Sequence, residues 1–190
     1  MSAGTAERGA CSVVAPPPPQ DLYRILLLRK NGSELLVVGE RPPFTLPCVE
    51  IPRWQRVAEN INAAVRERYG ISPVCLFAPD LSVATTGKEQ PLYQVMETRK
   101  ADVAAPEGTY WLPVDSFPDQ SFADAQDSRA LTNTLRQIHE FENGERIGAF
   151  GKQGWIEALL SWVQQEVDPY GLRALKASPP LNSLEKSDAA

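Results

Sequence analysis

From Leu22 the chain runs Leu-Tyr-Arg-Ile-Leu-Leu-Leu to Arg29, then Glu34-Leu-Leu-Val-Val-Gly to Glu40, with Asn31-Gly32 between the two runs. Two apolar segments about an Asn-Gly pair predict antiparallel strands joined by a tight turn. Their apolar content exceeds simple alternation, which predicts a sheet covered on both faces. Between Pro52 and Gly70, Trp54, Val57, Ala58, Ile61 and Val65 recur at steps of three and four, so an amphipathic helix closed by Gly70 is expected. Ile71 to Leu81, Leu92 to Thr98 and Tyr110 to Val114 read as further strands, with a loop over 85–91. Leu131, Leu135, Ile138 and Phe141 mark one face of a second helix. A third follows from Gln153, and its Trp155, Ile156, Leu159, Leu160, Trp162, Val163 and Val167 form a broad apolar surface that needs a partner. The order of elements implies an α/β (α+β) fold, a mixed β-sheet sandwiched by helices with an extra C-terminal helix.

Composition refines the boundaries. Residues 1–20 are rich in Ala, Gly, Ser and Pro and end near Pro16-Pro-Pro-Pro19, which reads as a disordered N-terminal arm. The core domain is expected over 21–145 and a helical extension over 146–168. The polar residues 169–190 read as a flexible tail. At 190 residues with 43% apolar side chains, the chain has material for one ordinary core. Its 19 Lys and Arg against 24 Asp and Glu give a net charge of -5 with no basic block, which argues against nucleic-acid binding. Cys11, Cys48 and Cys75 are widely spaced and His139 is the lone histidine, so neither a disulfide framework nor a structural zinc site is expected. No stretch reaches the roughly 20 apolar residues of a membrane span, and no secretory pattern opens the chain. A soluble cytoplasmic protein is the expectation.

Leu46-Pro47, Glu67 and Gly70-Ile71 stand at informative spacings around the first predicted helix. This stretch resembles a Nudix box, G-x5-E-x7-R-E-U-x-E-E-x-G-U with U apolar, laid on the sequence without a gap. The register puts Val49 at the box glycine, Gln55 at the first glutamate, and Ala63 and Ala64 at the Arg-Glu pair. Val65 takes the apolar position, and Glu67 and Arg68 the closing glutamate pair. Cys48 and Val49 replace the two glycines that commonly follow Leu-Pro in this family, and Trp111-Leu112-Pro113 is similar to its later aromatic-Leu-Pro strand. The resemblance covers residues 21–142 and implies a Nudix-like fold.

In that family several carboxylates on one helix face hold magnesium or manganese, which neutralises a diphosphate and activates water. Positions 64, 67 and 68 share a helix face, yet Glu67 is the one acid there. Ala64 offers no ligand and Arg68 sets a cation beside the metal position. The resemblance therefore implies a catalytically degenerate Nudix-like module, binding or regulatory, with a nucleotide-like small ligand. The alternative is a divergent hydrolase of nucleoside diphosphate derivatives in which Mg or Mn is held by Glu67 and by Glu50 from the loop before the helix. Glu67 is then the candidate catalytic residue. Against both roles stands the plainer reading of Glu67 and Glu50 as solvated charges.

Other residues offer less. His139 lacks a neighbouring nucleophile and reads as a boundary residue of the second helix. Cys48, near a helix N-terminus, is either a thiol of lowered pKa or a small apolar filler at a strand end, and the filler is preferred. Cys75 reads as core. Trp155 and Trp162, seven apart on one helix face, either close the core or form a docking surface for a protein partner. The segment from Phe150 to Trp162 is similar to the end of Nudix-like N-terminal domains in bacterial proteins fused to an aminoglycoside-phosphotransferase-like kinase, which makes a kinase-like domain the implied partner. The H-x-D-x4-N motif of such a kinase does not occur in this chain.

Overall fold

The structure is a computed structural model, and it describes residues 19–53, 56–81, 91–117, 122–145 and 151–168. The expectations for Cys11, Trp54, Gln55 and Phe150, for the arm over 1–18, the loop over 85–90 and the tail over 169–190 lie outside these residues. At the centre is β1 (Gln20–Arg29), with residues 25 to 28 fully buried. The last residues of β1 pair antiparallel with β2 (Glu34–Val38), and its first residues pair antiparallel with β3 (Cys48–Pro52). Along its other edge β1 runs parallel to β5 (Leu92–Thr98), which pairs antiparallel with β4 (Pro73–Phe77). A final strand, β6 (Thr109–Pro113), closes the sheet beside β2, giving the order β4-β5-β1-β2-β6 with β3 on β1.

Alternation along the strands sends apolar side chains to both faces, as the excess over simple alternation predicts. Ile25, Leu27, Leu36 and Met96 pack on one side with Ile61 and Val65 of helix α1 (Val57–Tyr69). Leu26, Leu28, Leu35, Val37 and Val95 pack on the other with Ala130, Leu131 and Ile138 of helix α2 (Ala125–Glu142). The fold is thus a mixed sheet between helices, of α+β class. A third helix, α3 (Trp155–Val167), follows.

Several boundaries differ from the sequence expectation. Gln20 already belongs to β1, and the Arg53 amide donates to Pro19 O, so residues 19 and 20 are tied to the sheet. The hairpin turn is as expected: Asn31 and Gly32 take φ of 54° and 78°, and the Ser33 amide donates to Lys30 O. In α1 the predicted stripe holds only in part. Ile61 and Val65 are buried, whereas Val57 is 40% exposed and Ala58 is exposed, the first turn meeting the sheet through its backbone, where the Cys75 thiol lies 3.7 Å from Ala58 O. Gly70 ends α1 at φ 66°, donating its amide to Arg66 O. The strand expected from Ile71 to Leu81 is only Pro73–Phe77. Its register breaks between Cys75 and Phe77, and Ile71 enters the core from outside the strand. On α3 Ile156 is buried and Trp155, Leu160 and Val163 are half-buried, but Leu159 and Trp162 are 42% and 57% exposed, so the described residues cover the broad apolar face only in part.

Candidate functional site

The box positions converge where the first half of β1 meets β3 and α1. Cys48 is the first residue of β3 and pairs with Arg24, while Glu50 pairs with Leu22. Glu50 therefore sits on a strand, not in a loop before the helix as the sequence suggested. It is exposed, and so is Glu67 on α1. The other two positions of that helix face serve other ends. Ala64 packs against the apolar cluster beneath α1, and Arg68 donates to the carbonyl oxygen of Cys48 at 2.8 Å. The Arg68 guanidinium also lies over the Tyr69 ring at 5.5 Å, and the Tyr69 hydroxyl donates to the same carbonyl at 3.4 Å. A side-chain cation thus occupies the approach to the strand backbone where the resemblance implies a metal.

A divalent ion does not fit these residues. Glu67 and Arg68 contribute opposite charges that cancel, and Ala64 contributes none, so the helix face lacks the net negative charge that offsets dehydration of a hard cation. Among the described residues no group of three His, Cys, Asp or Glu side chains is placed to hold a metal ion.

On the opposite side of β3 lies a polar cluster that sequence reasoning missed. Asp124 is the N-cap of α2: one carboxylate oxygen accepts from the Gln126 amide at 2.9 Å, and the other accepts from Arg24 at 2.7 Å. Asp127, with only 3% of its side chain exposed, accepts from Arg24 at 2.6 Å and from the Tyr93 hydroxyl at 2.8 Å. Burial alone would lower the Arg24 pKa, but the bonds to Asp127 and then to Asp124 outweigh it and raise it. Burial, and then the bond to Asp127, raise the Tyr93 hydroxyl above its ordinary range. The Gln126 amide and Arg24 hold Asp124 below the usual carboxylate value. These groups satisfy one another and make a closed structural network. The available signal was Asp127, an acid on the apolar stripe of α2 that leads to Ala130 and Leu131.

The remaining candidates take ordinary roles. Cys48 and Cys75 are free thiols. Burial raises the Cys48 pKa against the opposing charges of Arg24 and Arg68, which is the behaviour of a filler rather than a nucleophile. Cys75 packs against the core beneath α1, and burial pushes its thiol up to about 12. His139 is exposed, with a ring nitrogen 2.9 Å from the Asn143 amide, outside the boundary position expected of it. Trp155 is half-buried and Trp162 exposed, so the two do not close a core together.

No protein-family model matches the sequence, and no curated protein sequence matches it. Solved structures with a similar backbone include a Nudix hydrolase from Nitrosomonas europaea, with a TM-score of 0.45 and 11% identity over 70% of this chain and 78% of that one. A MutT protein studied from Aliivibrio salmonicida and Vibrio cholerae gives 0.42 and 14% over 62% and 98%. A candidate oxidoreductase from Sinorhizobium meliloti gives 0.46 and 12%, covering 60% of this chain but 38% of that one. Identities and scores this low leave the functional question to the residues of this chain. No described helix is long and apolar enough to cross a membrane.

Proposed function

We propose that this protein is a Nudix-like module that has lost metal-dependent hydrolysis and acts as a binding or regulatory domain for a phosphate-bearing, nucleotide-like ligand. The observation that carries this reading is Arg68, at a metal-binding position of the box register, with its guanidinium 2.8 Å from the Cys48 carbonyl oxygen. A fixed cation there favours an anionic ligand without a metal, because a guanidinium matches phosphate oxygens in geometry and charge. The exposed Leu159 and Trp162 on α3 support a second element of the reading, a protein partner such as a kinase-like domain docked through α3.

Hydrolysis of ADP-ribose and of nucleoside diphosphates is measured with Mg or Mn present. The expected result is a rate equal to the protein-free blank, together with thermal stabilisation by a nucleotide of the panel that Arg68→Ala abolishes. Metal-dependent hydrolysis that disappears in Glu67→Gln overturns the proposal and establishes the divergent hydrolase instead.

A further inference from the structure

At the far end of β1 from the box positions, Glu97 of β5 stands opposite Leu28 and is 8% exposed. Both of its carboxylate oxygens lie 3.0 Å from one donor, the backbone amide of Gly154. Gly154 is the N-cap of α3 and takes the left-handed φ of 67°, a conformation that favours glycine. The rest of the α3 attachment is apolar, with Trp155, Leu160 and Val163 half-buried. Ile156 is its buried apolar residue among those described, and just before the helix Gly151 lies under the Phe141 ring and Gln153 against Gly32. Glu97 is therefore a buried acid placed at the joint between the sheet and a helix that projects Leu159 and Trp162 into solvent.

We propose that Glu97 is a proton-operated latch for α3: its neutral carboxyl is accommodated at the helix start and holds α3 on the sheet, and its ionisation loosens that contact. The latch is independent of the ligand reading proposed for the box positions. The physical cause is the cost of a charge in a nearly closed joint that has one hydrogen-bond donor for two oxygens. When α3 swings away, water solvates the carboxylate, so release is coupled to loss of the proton.

The charged groups facing Glu97 leave that cost in place. A cavity of about 210 Å³ is lined by Glu97, by Arg29 at the end of β1, by Lys30 in the turn, by Arg99 just beyond β5 and by Glu157 in the first turn of α3. Arg29 and Lys30 both pair with Glu34, and the Arg29 guanidinium also lies 4.5 Å from the Trp111 ring centre. Glu157 adds like charge. Burial first, and Glu157 to a lesser degree, raise Glu97 from 4.5 to about 7 against the pull of the Gly154 amide. The docked value lies above the ordinary one, so docking takes up a proton. The helix is held most firmly at low pH, loosens as pH rises from 4.5 towards about 7, and changes little above that.

The test is hydrogen–deuterium exchange of the full chain, corrected for intrinsic exchange rates, with the β1 and β2 amides as internal reference. From about pH 5.5 to about pH 8 the protection of α3 amides is expected to fall roughly thirty-fold relative to that reference. Glu97→Gln keeps the acceptor for Gly154 without the charge, and its α3 protection is expected to be flat across the same range. A carbon-13 titration of the wild-type Glu97 carboxyl supplies a second measurement, decisive should Glu97→Gln fail to fold. A midpoint near 7 that coincides with the loss of α3 protection supports the latch. Flat wild-type protection, an equal pH dependence in Glu97→Gln, or a carboxyl midpoint near 4.5 overturns it.

Discussion

Replacing Asp127 by alanine removes the most buried acid of the Arg24–Tyr93–Asp124–Asp127 network. The wild-type carboxylate accepts from Arg24 at 2.6 Å and from the Tyr93 hydroxyl at 2.8 Å, with 3% of its side chain exposed. Loss of a charge-assisted bond costs about 2 kcal/mol, and the stranded Tyr93 hydroxyl adds about 1 kcal/mol. Arg24 keeps Asp124 and is 23% exposed, so the full penalty of an isolated buried charge does not apply. Alanine returns about 0.5 kcal/mol through helix propensity in the first turn of α2, leaving a net loss of about 2.5 kcal/mol. Asp124→Ala is the matched comparison. Its side chain is 40% exposed, so it forfeits an N-cap and a partly solvated ion pair, a loss of about 1 kcal/mol. With a urea slope of about 2 kcal/mol per molar, the two variants should unfold roughly 1.2 M and 0.5 M below wild type. A double-mutant cycle of Asp127→Ala with Arg24→Met should return a coupling of about 1.5 kcal/mol. Equal losses for the two aspartates, or a coupling near zero, would show that burial does not set the strength of this network.

Three further substitutions probe the two sides of the sheet. Leu27→Ala empties a fully buried position in the cluster beneath α1 and should cost about 3 kcal/mol in chemical denaturation, whereas Val57→Ala, at a position 40% exposed on α1, should cost under about 0.5 kcal/mol. Gly151→Ala places a methyl group 2.6 Å from a Phe141 ring carbon, so about 2 kcal/mol of stability and part of the α3 amide protection should be lost. Unchanged Phe141 ring resonances in that variant would contradict the contact.

The sheet was legible in the chain because its strands carry two kinds of information at once. Residues 25 to 28 are fully buried and alternate between two cores, so an unbroken apolar run is what a strand between helices requires. Lys30, Asn31 and Gly32 take the three positive φ values of the turn, and the Asn-Gly pair places β2 by local chemistry. Strand ends are set by partners that a linear pattern does not contain. Ile71 and Leu81 are as apolar as strand residues, yet β4 stops at Phe77, where its register with β5 has shifted. The parallel pairing of β1 with β5 likewise depends on contacts across some seventy positions, which no spacing rule shows. At α3 the apolar pattern left two readings open, core closure or a docking surface, and Leu159 and Trp162 emerge into solvent.

The site was legible in its register and opaque in its use. Counting from Gly70 places positions 64, 67 and 68 on one helix face, and the resemblance to a Nudix box is what implies a metal there. It does not say what the residues at those positions do instead. Ala64 fills space against the core under α1, and Arg68 spans the gap to the backbone of β3, so both residues are part of the packing between helix and strand. Changing Arg68 alone to glutamate would break that tie and aim a carboxylate at the Cys48 carbonyl oxygen, with two acceptors facing each other and no donor between them. A cation would then be needed to hold helix and strand together. The covalently attached guanidinium meets that need at every metal concentration, which is why this helix face stays packed on the strand without an ion.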